Sequence, residues 1–255
     1  MGRLNIILQV RQWGGDLLNL CYPAVCSACE APAPVGAFLC EACEVQLAQL
    51  AQAAACERCA MPLAVHGSPC PWCEGDGLRP YARIARLGTM SSPLKHLIHL
   101  AKYNRRWPIA ERLADRLMVD AQVQAILRDT DVLLPVPLHA WRQMRRGFNQ
   151  ADVIASRLGR CGKVRVVRPV VRLRPTDTQT HMHGRSKRAE NLKDAFGLIR
   201  PADVAGKRVT VVDDVLTTGA TLQSLARTLR PARPASLSAI TLAIADPEGR
   251  QFEVV

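Results

Sequence analysis

Eight cysteines in the first third of the chain form four Cys-x-x-Cys pairs, and this pattern constrains the fold more than any other feature. The pairs fall into two sets of equal spacing: Cys26/Cys29 with Cys40/Cys43, and Cys56/Cys59 with Cys70/Cys73. Each cysteine of the first set recurs 30 positions later, so the segment is an internal repeat of two units. Two such turns supply four thiolates, which is the tetrahedral ligand set that Zn²⁺ prefers.

We expect two structural zinc sites, because four sulfurs close each site and leave no open position for a substrate. A disulfide framework is the alternative, but it needs an oxidising compartment. The pairs are expected to bind sequentially, although an interleaved arrangement also satisfies the spacing. Cys21 and Cys161 lie outside the repeat and are expected to be free, buried thiols. Metal binding would stabilise a segment too short to build its own core.

The 255 residues divide into an N-terminal helix (1–20), a double zinc ribbon (21–78) and an α/β body (79–255). Gly75, Gly77 and Pro80 favour a hinge before the body. No run of 18 apolar residues occurs, which argues against a membrane span. The first 20 residues lack a clean apolar segment and a cleavage site, so we expect a cytoplasmic protein.

Positive charge is concentrated in the body. The chain has a net charge of +12, with −3 over residues 1–80 and +15 over residues 81–255. Arginine outnumbers lysine by 28 to 6, and guanidinium groups bind phosphates bidentately. A basic body favours an anionic partner such as a phosphorylated metabolite or nucleic acid. Codon bias in a GC-rich genome would also enrich arginine, so charge alone does not decide the function.

Alternating helical and apolar segments predict an α/β body. Helices are expected at Pro93–Arg106, Pro108–Leu127 and Gly147–Leu158, and strands at Asp131–Leu138, Val164–Val167 and Leu237–Ala245. A cationic cluster follows the expected strand at Asp131–Leu138. It consists of His139, Arg142, Arg145 and Arg146. An α/β sheet binds ligands beyond the carboxyl ends of its strands, so this cluster is a candidate ligand contact.

The stretch Arg174–Asn191 is polar and lacks an apolar period. A long polar loop in a compact domain is usually functional or disordered, and we favour a lid over the site. His181 and His183 have no evident third ligand, so no metal site is assigned there.

The segment Lys207–Leu222 is the sharpest motif of the body. A predicted strand, Val209–Val212, ends in Asp213 and Asp214, and a turn rich in threonine opens a helix that runs to Leu229. Backbone N–H groups at such a turn bind a phosphate, and the neighbouring carboxylates can accept hydrogen bonds from sugar hydroxyls. An N-capped helix after a buried strand is the alternative, but paired acids are costly at that position. No P-loop motif occurs.

These motifs together resemble a known family. VVDDVLTTGATL resembles the phosphoribosyl pyrophosphate (PRPP) motif of type I phosphoribosyltransferases. Together with the four cysteine pairs, LLPVPLHAWRQMRRGFNQA and RPTDTQTHMHGRSKRAENLKDAF, it resembles the ComF family over about residues 20–245. That family comprises double-zinc-ribbon, phosphoribosyltransferase-like proteins linked to competence and imported DNA. The resemblance implies a type I phosphoribosyltransferase-like parallel sheet flanked by helices, preceded by a small cysteine-rich double zinc ribbon.

The resemblance also implies roles for individual residues. Asp213 and Asp214 would hold the ribose hydroxyls of PRPP. The 5′-phosphate would bind the turn formed by Thr217, Thr218, Gly219, Ala220 and Thr221. The pyrophosphate would face the loop of Val136, Pro137, Leu138 and His139, with Arg145 and Arg146 beyond it. Arg185 and Arg188 would close over the site. Mg²⁺ would bridge pyrophosphate oxygens and substrate hydroxyls rather than occupy a protein cage.

Three functions remain open from the sequence. The first is a ComF-like DNA-uptake factor that binds PRPP and single-stranded DNA, with Trp107 and Trp141 as stacking residues unless they belong to the core. The second is an active phosphoribosyltransferase, with Asp213, Asp214, Arg145 and Arg146 acting on the reacting ribose and pyrophosphate. Its acceptor is undefined, since no aromatic pair forms a nucleobase pocket. The third is a zinc-ribbon module that docks a DNA-uptake helicase or channel protein.

Overall fold

The computed structural model describes residues 24–74, 78–102, 106–174 and 195–245. The expected N-terminal helix, Cys21, the glycines of the hinge, His181, His183, Arg185 and Arg188 lie outside these residues. The helices are α1 (Glu41–Gln52), α2 (Pro71–Glu74), α3 (Leu94–Lys102), α4 (Trp107–Leu117), α5 (Ala121–Arg128), α6 (Ala140–Arg146), α7 (Gln150–Gly162) and α8 (Ala220–Leu229). The strands are β1 (Tyr81–Thr89), β2 (Val132–Pro135), β3 (Arg165–Val166), β4 (Val170–Arg172), β5 (Phe196–Leu198), β6 (Arg208–Leu216) and β7 (Ser236–Ile244).

Five of these strands form a parallel sheet in the order β1-β7-β6-β2-β3. The central strands are nearly continuous apolar runs, as expected where helices cover both faces of a parallel sheet. Strands β4 and β5 form a separate antiparallel pair. The α/β expectation, a parallel sheet flanked by helices, is therefore confirmed. All five carboxyl ends lie along one edge of the sheet, where β6 leads into α8.

Strands β1, β2, β6 and β7 each contribute residues to two different apolar cores, one on either face of the sheet. In β2, Leu134 packs in one core and Leu133 in the other. The first core lies between the sheet, α8, the β4–β5 pair and the second cysteine unit. The second core lies between the sheet, helices α3, α4, α5 and α7, and the first cysteine unit with α1. Each cysteine unit is thus continuous with one core of the body.

The cysteine-rich segment also covers the exposed edge of the sheet at β1. The Ile84 N–H donates to the carbonyl of Arg58 at 2.9 Å, so the second cysteine unit occupies part of the open edge. Helix α1 packs beside it, with the Leu50 Cβ 3.0 Å from where a Cβ on Gly88 would lie. Unpaired strand edges promote association with other chains, and this cover blocks that route.

Strand β1 was not predicted from the sequence. Its apolar residues Tyr81, Ile84 and Leu87 recur every third position, which is closer to a helical than to a strand period. The arginines between them hide the alternation. Burial on both faces, one against each core, explains why the usual two-residue period is absent.

Two helix predictions need correction. The single helix expected over Pro108–Leu127 is two helices, because Asp120 accepts a hydrogen bond from the Val123 N–H at 2.8 Å and caps α5. The helix expected from Gly147 is preceded by an additional helix, α6. Gly147, with a φ of 79°, ends α6, and the Asn149 side chain accepts from the Ala151 N–H to cap α7.

The acid pair does not end its strand. Strand β6 was expected to stop at Val212, but it continues to Leu216 with Asp213 opposite Thr241 of β7. Likewise the segment Asp131–Leu138 is a strand only over Val132–Pro135. Within the described ranges, no helix is both long and apolar enough to cross a membrane.

Candidate functional site

The eight paired cysteines form two clusters, one in each repeat unit. Within each cluster the four sulfurs lie within 4.8 Å of one another, and the clusters are sequential: Cys26, Cys29, Cys40 and Cys43, then Cys56, Cys59, Cys70 and Cys73. Individual Sγ–Sγ distances are 3.6 Å for Cys29–Cys40 and Cys59–Cys70 and 3.8 Å for Cys56–Cys73. Four sulfurs bound tetrahedrally at about 2.3 Å from Zn²⁺ would be about 3.8 Å apart. The thiols are free and therefore fit zinc in number, type and spacing. Cys161 is also free, but it is exposed, so the expectation that it is buried is wrong.

The two units repeat in backbone detail as well as in sequence. The Cys26 N–H donates to Ala31 O, and the Cys56 N–H donates to Met61 O, at 2.8 and 2.9 Å. Glu30 and Ala60, each four residues after the first cysteine of its unit, share the left-handed backbone, with φ of 62° and 57°. The units differ in burial, since Cys29 is exposed whereas Cys59 is 2% exposed. The second cluster is thus the more completely buried of the two.

The turn from β6 into α8 forms the candidate phosphate cradle, residues 217–221. Thr217 is exposed and Thr218 partly so, and Gly219 begins the helix with a φ of 76°. Glycine has no side chain, so Gly219 provides no cap of its own for the first N–H groups of α8. N–H groups at such a helix start attract an anion.

Gly219 is also held by packing from the cysteine-rich segment. A Cβ at this position would overlap Cδ2 of Leu78, which is 5% exposed. Nearby, the Tyr81 hydroxyl donates to the carbonyl of Leu222 at 2.8 Å. Residues between the second cluster and β1 therefore fix the cradle from outside the motif. The motif itself gave no signal of these contacts.

The acid pair lies in β6 and is separated from the cradle by two residues. The Asp214 N–H donates to Asp213 Oδ1 at 2.8 Å, and Lys102 Nζ is 3.0 Å from Asp214 Oδ2. Burial of the Asp213 carboxyl, followed by the negative charge of Asp214, raises the pKa of Asp213 to about 7. Two carboxylates this close resist double ionisation. The site therefore favours ligands that donate hydrogen bonds or bring positive charge to this pair.

Cations that the sequence did not assign surround the acids. Lys102 is the last residue of α3 and forms the ion pair with Asp214. Burial and the nearby positive charge of Arg142 lower the pKa of Arg172, and Asp213 acts on it in the opposite direction. Arg172 also packs on Phe196, with its Cζ 5.6 Å from the ring centroid. Long-range folding brings these residues together, so no local pattern signals them.

The loop Val136–His139 adjoins the acid pair. The Val136 N–H donates to the carbonyl of Val212, the residue before Asp213, at 2.9 Å. The Asn149 side chain holds the loop by donating to Val136 O at 2.9 Å. His139 caps α6 by accepting from the Trp141 N–H at 3.3 Å. The loop and the cradle therefore share one edge of the sheet.

Arg145 and Arg146 lie on α6, which has no buried residue. Arg145 stacks on Trp141, with its Cζ 5.5 Å from the ring centroid, and Arg146 donates to Gln150 Oε1 at 3.5 Å. Within the described part of the chain, Arg145 forms no ion pair with Asp213 or Asp214. Trp107 and Trp141 are 48% and 57% exposed, so the reading of both as core residues is wrong.

Comparison with known proteins agrees with this arrangement. Residues 107–254 match the phosphoribosyl transferase domain, and residues 17–74 match the double zinc ribbon domain. The DNA utilization protein YhgH of Salmonella typhimurium is 34% identical over 217 residues, covering 82% of this chain and 92% of that protein. Competence protein F of Haemophilus influenzae is 32% identical over 197 residues, covering 75% and 84%.

The chain belongs to the ComF family. Competence protein ComFC of Bacillus subtilis shares 34% identity over a shorter stretch, 44% of this chain and 43% of that protein. Among solved structures, the glutamine PRPP amidotransferase of B. subtilis aligns at a TM-score of 0.36 and 17% identity, over 52% of this chain and 25% of that one. That likeness is too weak to bear on function. The ComF assignment therefore rests on sequence similarity to its members and on the two domains.

The raised pKa of Asp213 predicts a specific pH dependence of stability. Between pH 4 and pH 7 the folded protein keeps a proton that the unfolded chain has lost, so stability falls as pH rises through this window. We expect Asp213→Asn to increase the unfolding free energy by about 1–3 kcal/mol at pH 8 and by much less at pH 5. Urea denaturation of both proteins at the two pH values measures this difference.

Asp131→Asn is the matched control with the opposite sign. Hydrogen bonds from Arg208 lower the pKa of Asp131 to about 2, so this ionised group stabilises the fold above pH 4. Its replacement should destabilise the protein at neutral pH and have less effect as the pH falls through that low pKa. The same pH trend in both variants would contradict the placement of Asp213 beside a second charged carboxylate.

Proposed function

We propose that this ComF protein binds PRPP at the cradle. The observation that carries the proposal is the acid pair held in β6 shortly before an uncapped helix start. Asp213 and Asp214 accept hydrogen bonds from the ribose hydroxyls, and the 5′-phosphate binds the N–H groups and hydroxyls of residues 217–221. The loop Val136–His139 faces the pyrophosphate because it lies beside the acids at the same sheet edge. Arg185 and Arg188 are proposed to close over the ligand.

Lys102 and Arg172 extend the proposed site beyond the motif. Lys102 pairs with Asp214, and it is proposed to contact the pyrophosphate when the ribose hydroxyls occupy the acids. Arg172, whose charge interacts with Asp213, adds a second cation on that side. Arg145 and Arg146 are proposed to contact the pyrophosphate from α6. Bound Mg²⁺ suits the oxygen donors here, because carboxylates and phosphates are its usual ligands.

Phosphoribosyl transfer is the second candidate function, favoured by the cations on the pyrophosphate side of the acid pair. A nucleophilic atom of the acceptor would bond to the ribose anomeric carbon as the carbon–oxygen bond to pyrophosphate breaks. Pyrophosphate leaves with the electron pair, and the acceptor loses its proton to water. Lys102 and Arg172 would stabilise the departing charge. Pyrophosphate release that depends on an added nucleobase separates this function from binding alone.

We propose that the protein serves the use of imported DNA, as the names of its relatives indicate for those proteins. Helix α6 supports a role in binding single-stranded DNA, because it exposes Trp141 and Met144 beside arginines. Aromatic rings stack on bases of any sequence, and arginines neutralise the backbone. Trp107 is a second exposed ring. The zinc ribbon is proposed to dock a DNA-uptake helicase or channel protein.

The zinc ribbon is proposed to hold one structural zinc ion in each cysteine cluster. Thiolates bound to zinc persist in a reducing compartment, so we propose the cytoplasm as the site of action. The ions would supply folding free energy to a segment that is too short to build a sufficient core of its own. Residues 21–78 form the ribbon and 79–255 the transferase-like domain in this proposal, with residues 1–20 as an N-terminal helix.

The acid pair provides the test of PRPP binding. Asp213→Ala combined with Asp214→Ala should weaken PRPP binding at least about 100-fold, because two hydrogen bonds from the ribose hydroxyls to the carboxylates are lost. Calorimetric titration of PRPP with Mg²⁺ into the zinc-loaded protein measures the affinity. The zinc content should stay at two ions per chain.

Asp129→Ala combined with Asp203→Ala is the control for the lost charge. Both acids form surface ion pairs, with Arg83 and Arg200, and such pairs contribute little to stability. PRPP should bind this variant with wild-type affinity. Equal PRPP affinity in the wild type and the Asp213/Asp214 variant would refute the ribose assignment.

Trp141 provides the test of DNA binding. Trp141→Ala should reduce affinity for an oligothymidylate by about fivefold or more, since stacking contributes about 1–3 kcal/mol per base. Trp141→Phe keeps an aromatic face and should retain most of the affinity. Fluorescence anisotropy at fixed salt compares the three proteins. Unchanged binding by Trp141→Ala would exclude α6 as the stacking surface.

A further inference from the structure

A second concave site lies along α8, away from the cradle. The cavity has a volume of about 630 Å³ and runs from Gln223 to the carboxyl end of the helix. Four arginines line it, together with small and apolar residues of the segments before β1 and β7: Arg79, Arg227, Arg230 and Arg233. We call this cavity the arginine groove. No acidic or aromatic side chain is among its described lining residues.

The four groove arginines differ in their partners from the arginines elsewhere in the described body that form ion pairs with carboxylates. Seven arginines of the described body form ion pairs with carboxylates: Arg83, Arg116, Arg157, Arg160, Arg168, Arg200 and Arg208. Within the described chain, none of the groove arginines has such a partner, and all four are exposed. Like charges gathered in one cavity repel each other, so an anion would relieve an electrostatic cost there.

The carboxyl end of α8 does not by itself explain why the four arginines lie together. Arg227 and Arg230 lie where cations complement the helix dipole. Arg79, however, enters from the segment before β1, and Arg233 follows the helix with a φ of 50°. That left-handed conformation is unfavourable for a residue with a Cβ. Separate segments therefore converge on the groove.

We propose that the arginine groove binds a small polyphosphate, such as the phosphate chain of a nucleoside diphosphate or triphosphate. Guanidinium groups bind phosphate oxygens bidentately, and several of them match several adjacent phosphates. The volume lies within the range of about 300–1,000 Å³ found for small-molecule sites. Single-stranded nucleic acid is disfavoured here, because its sites usually offer aromatic rings for the bases.

The groove is distinct from the proposed PRPP site. The cradle lies at the amino end of α8, and Arg230 and Arg233 follow its carboxyl end. A helix of 10 residues spans about 15 Å, so one ligand phosphate chain does not reach both positions. The two sites are connected along the chain, because Leu78 packs on Gly219 and the next residue, Arg79, lines the groove.

Inorganic tripolyphosphate is the probe, titrated by calorimetry into the zinc-loaded full chain. The titrations use a Thr218→Glu background, whose added carboxylate repels phosphate from the cradle. One equivalent should bind in this background. Adding Arg230→Gln with Arg233→Gln should weaken binding about tenfold or more, because two charge-assisted contacts are lost.

Arg128→Gln with Arg165→Gln is the matched control. Both arginines are exposed and lie outside the groove, and their replacement removes the same charge as the groove variant does. Affinity should stay within about twofold of the background, because salt screens distant charges. The proposal is overturned if the background binds no tripolyphosphate, or if both pairs weaken binding equally. It is also overturned if the groove variant loses oligothymidylate binding but keeps tripolyphosphate. None of these results depends on PRPP binding, which the Asp213 and Asp214 variants test.

Discussion

The contact of Leu78 with Gly219 joins the cysteine-rich segment to the phosphate cradle. Leu78 and the buried cysteines of the second cluster belong to one apolar core with Leu222 and the inner face of the sheet. That core is continuous from the cysteine-rich segment into the body. Without a bound cation, four neighbouring thiols lack charge compensation and are held less firmly in place, whereas a bound metal fixes their positions. We therefore expect the position of the cradle to depend on the second cysteine cluster, which lies outside the segment Lys207–Leu222.

Charge around the cradle is balanced rather than simply positive. Asp213 and Asp214 repel each other, and Lys102 and Arg172 offset that repulsion. A ligand with hydroxyls for the acids and phosphates for the cations would satisfy both groups at once. This arrangement explains why acids persist inside a strand that faces a largely apolar core. It also links the affinity of the proposed PRPP site to residues on α3 and β4.

Local patterns in the sequence predicted the parallel sheet, the cysteine repeat and the turn after β6, because these depend on spacing and periodicity. They did not predict β1, whose burial on two faces removes its alternation. They did not separate α4 from α5, since the cap at Asp120 is a single residue. No local pattern predicts Lys102, Arg172 and Leu78 as site residues, because only the folded chain brings them to the acids and to Gly219. Contacts between distant segments leave no local signal.

Hydrogen exchange at the amides of residues 219–222 tests the dependence of the cradle on the second cluster most directly. Cys59→Ser replaces a buried cysteine of the second cluster, and Cys29→Ser replaces the exposed cysteine of the first cluster, which packs with the other core. We predict that Cys59→Ser increases exchange in the cradle about tenfold or more, whereas Cys29→Ser leaves it near the wild-type rate. Equal exchange in the two variants would contradict the account, because the cradle would then be independent of the second metal site.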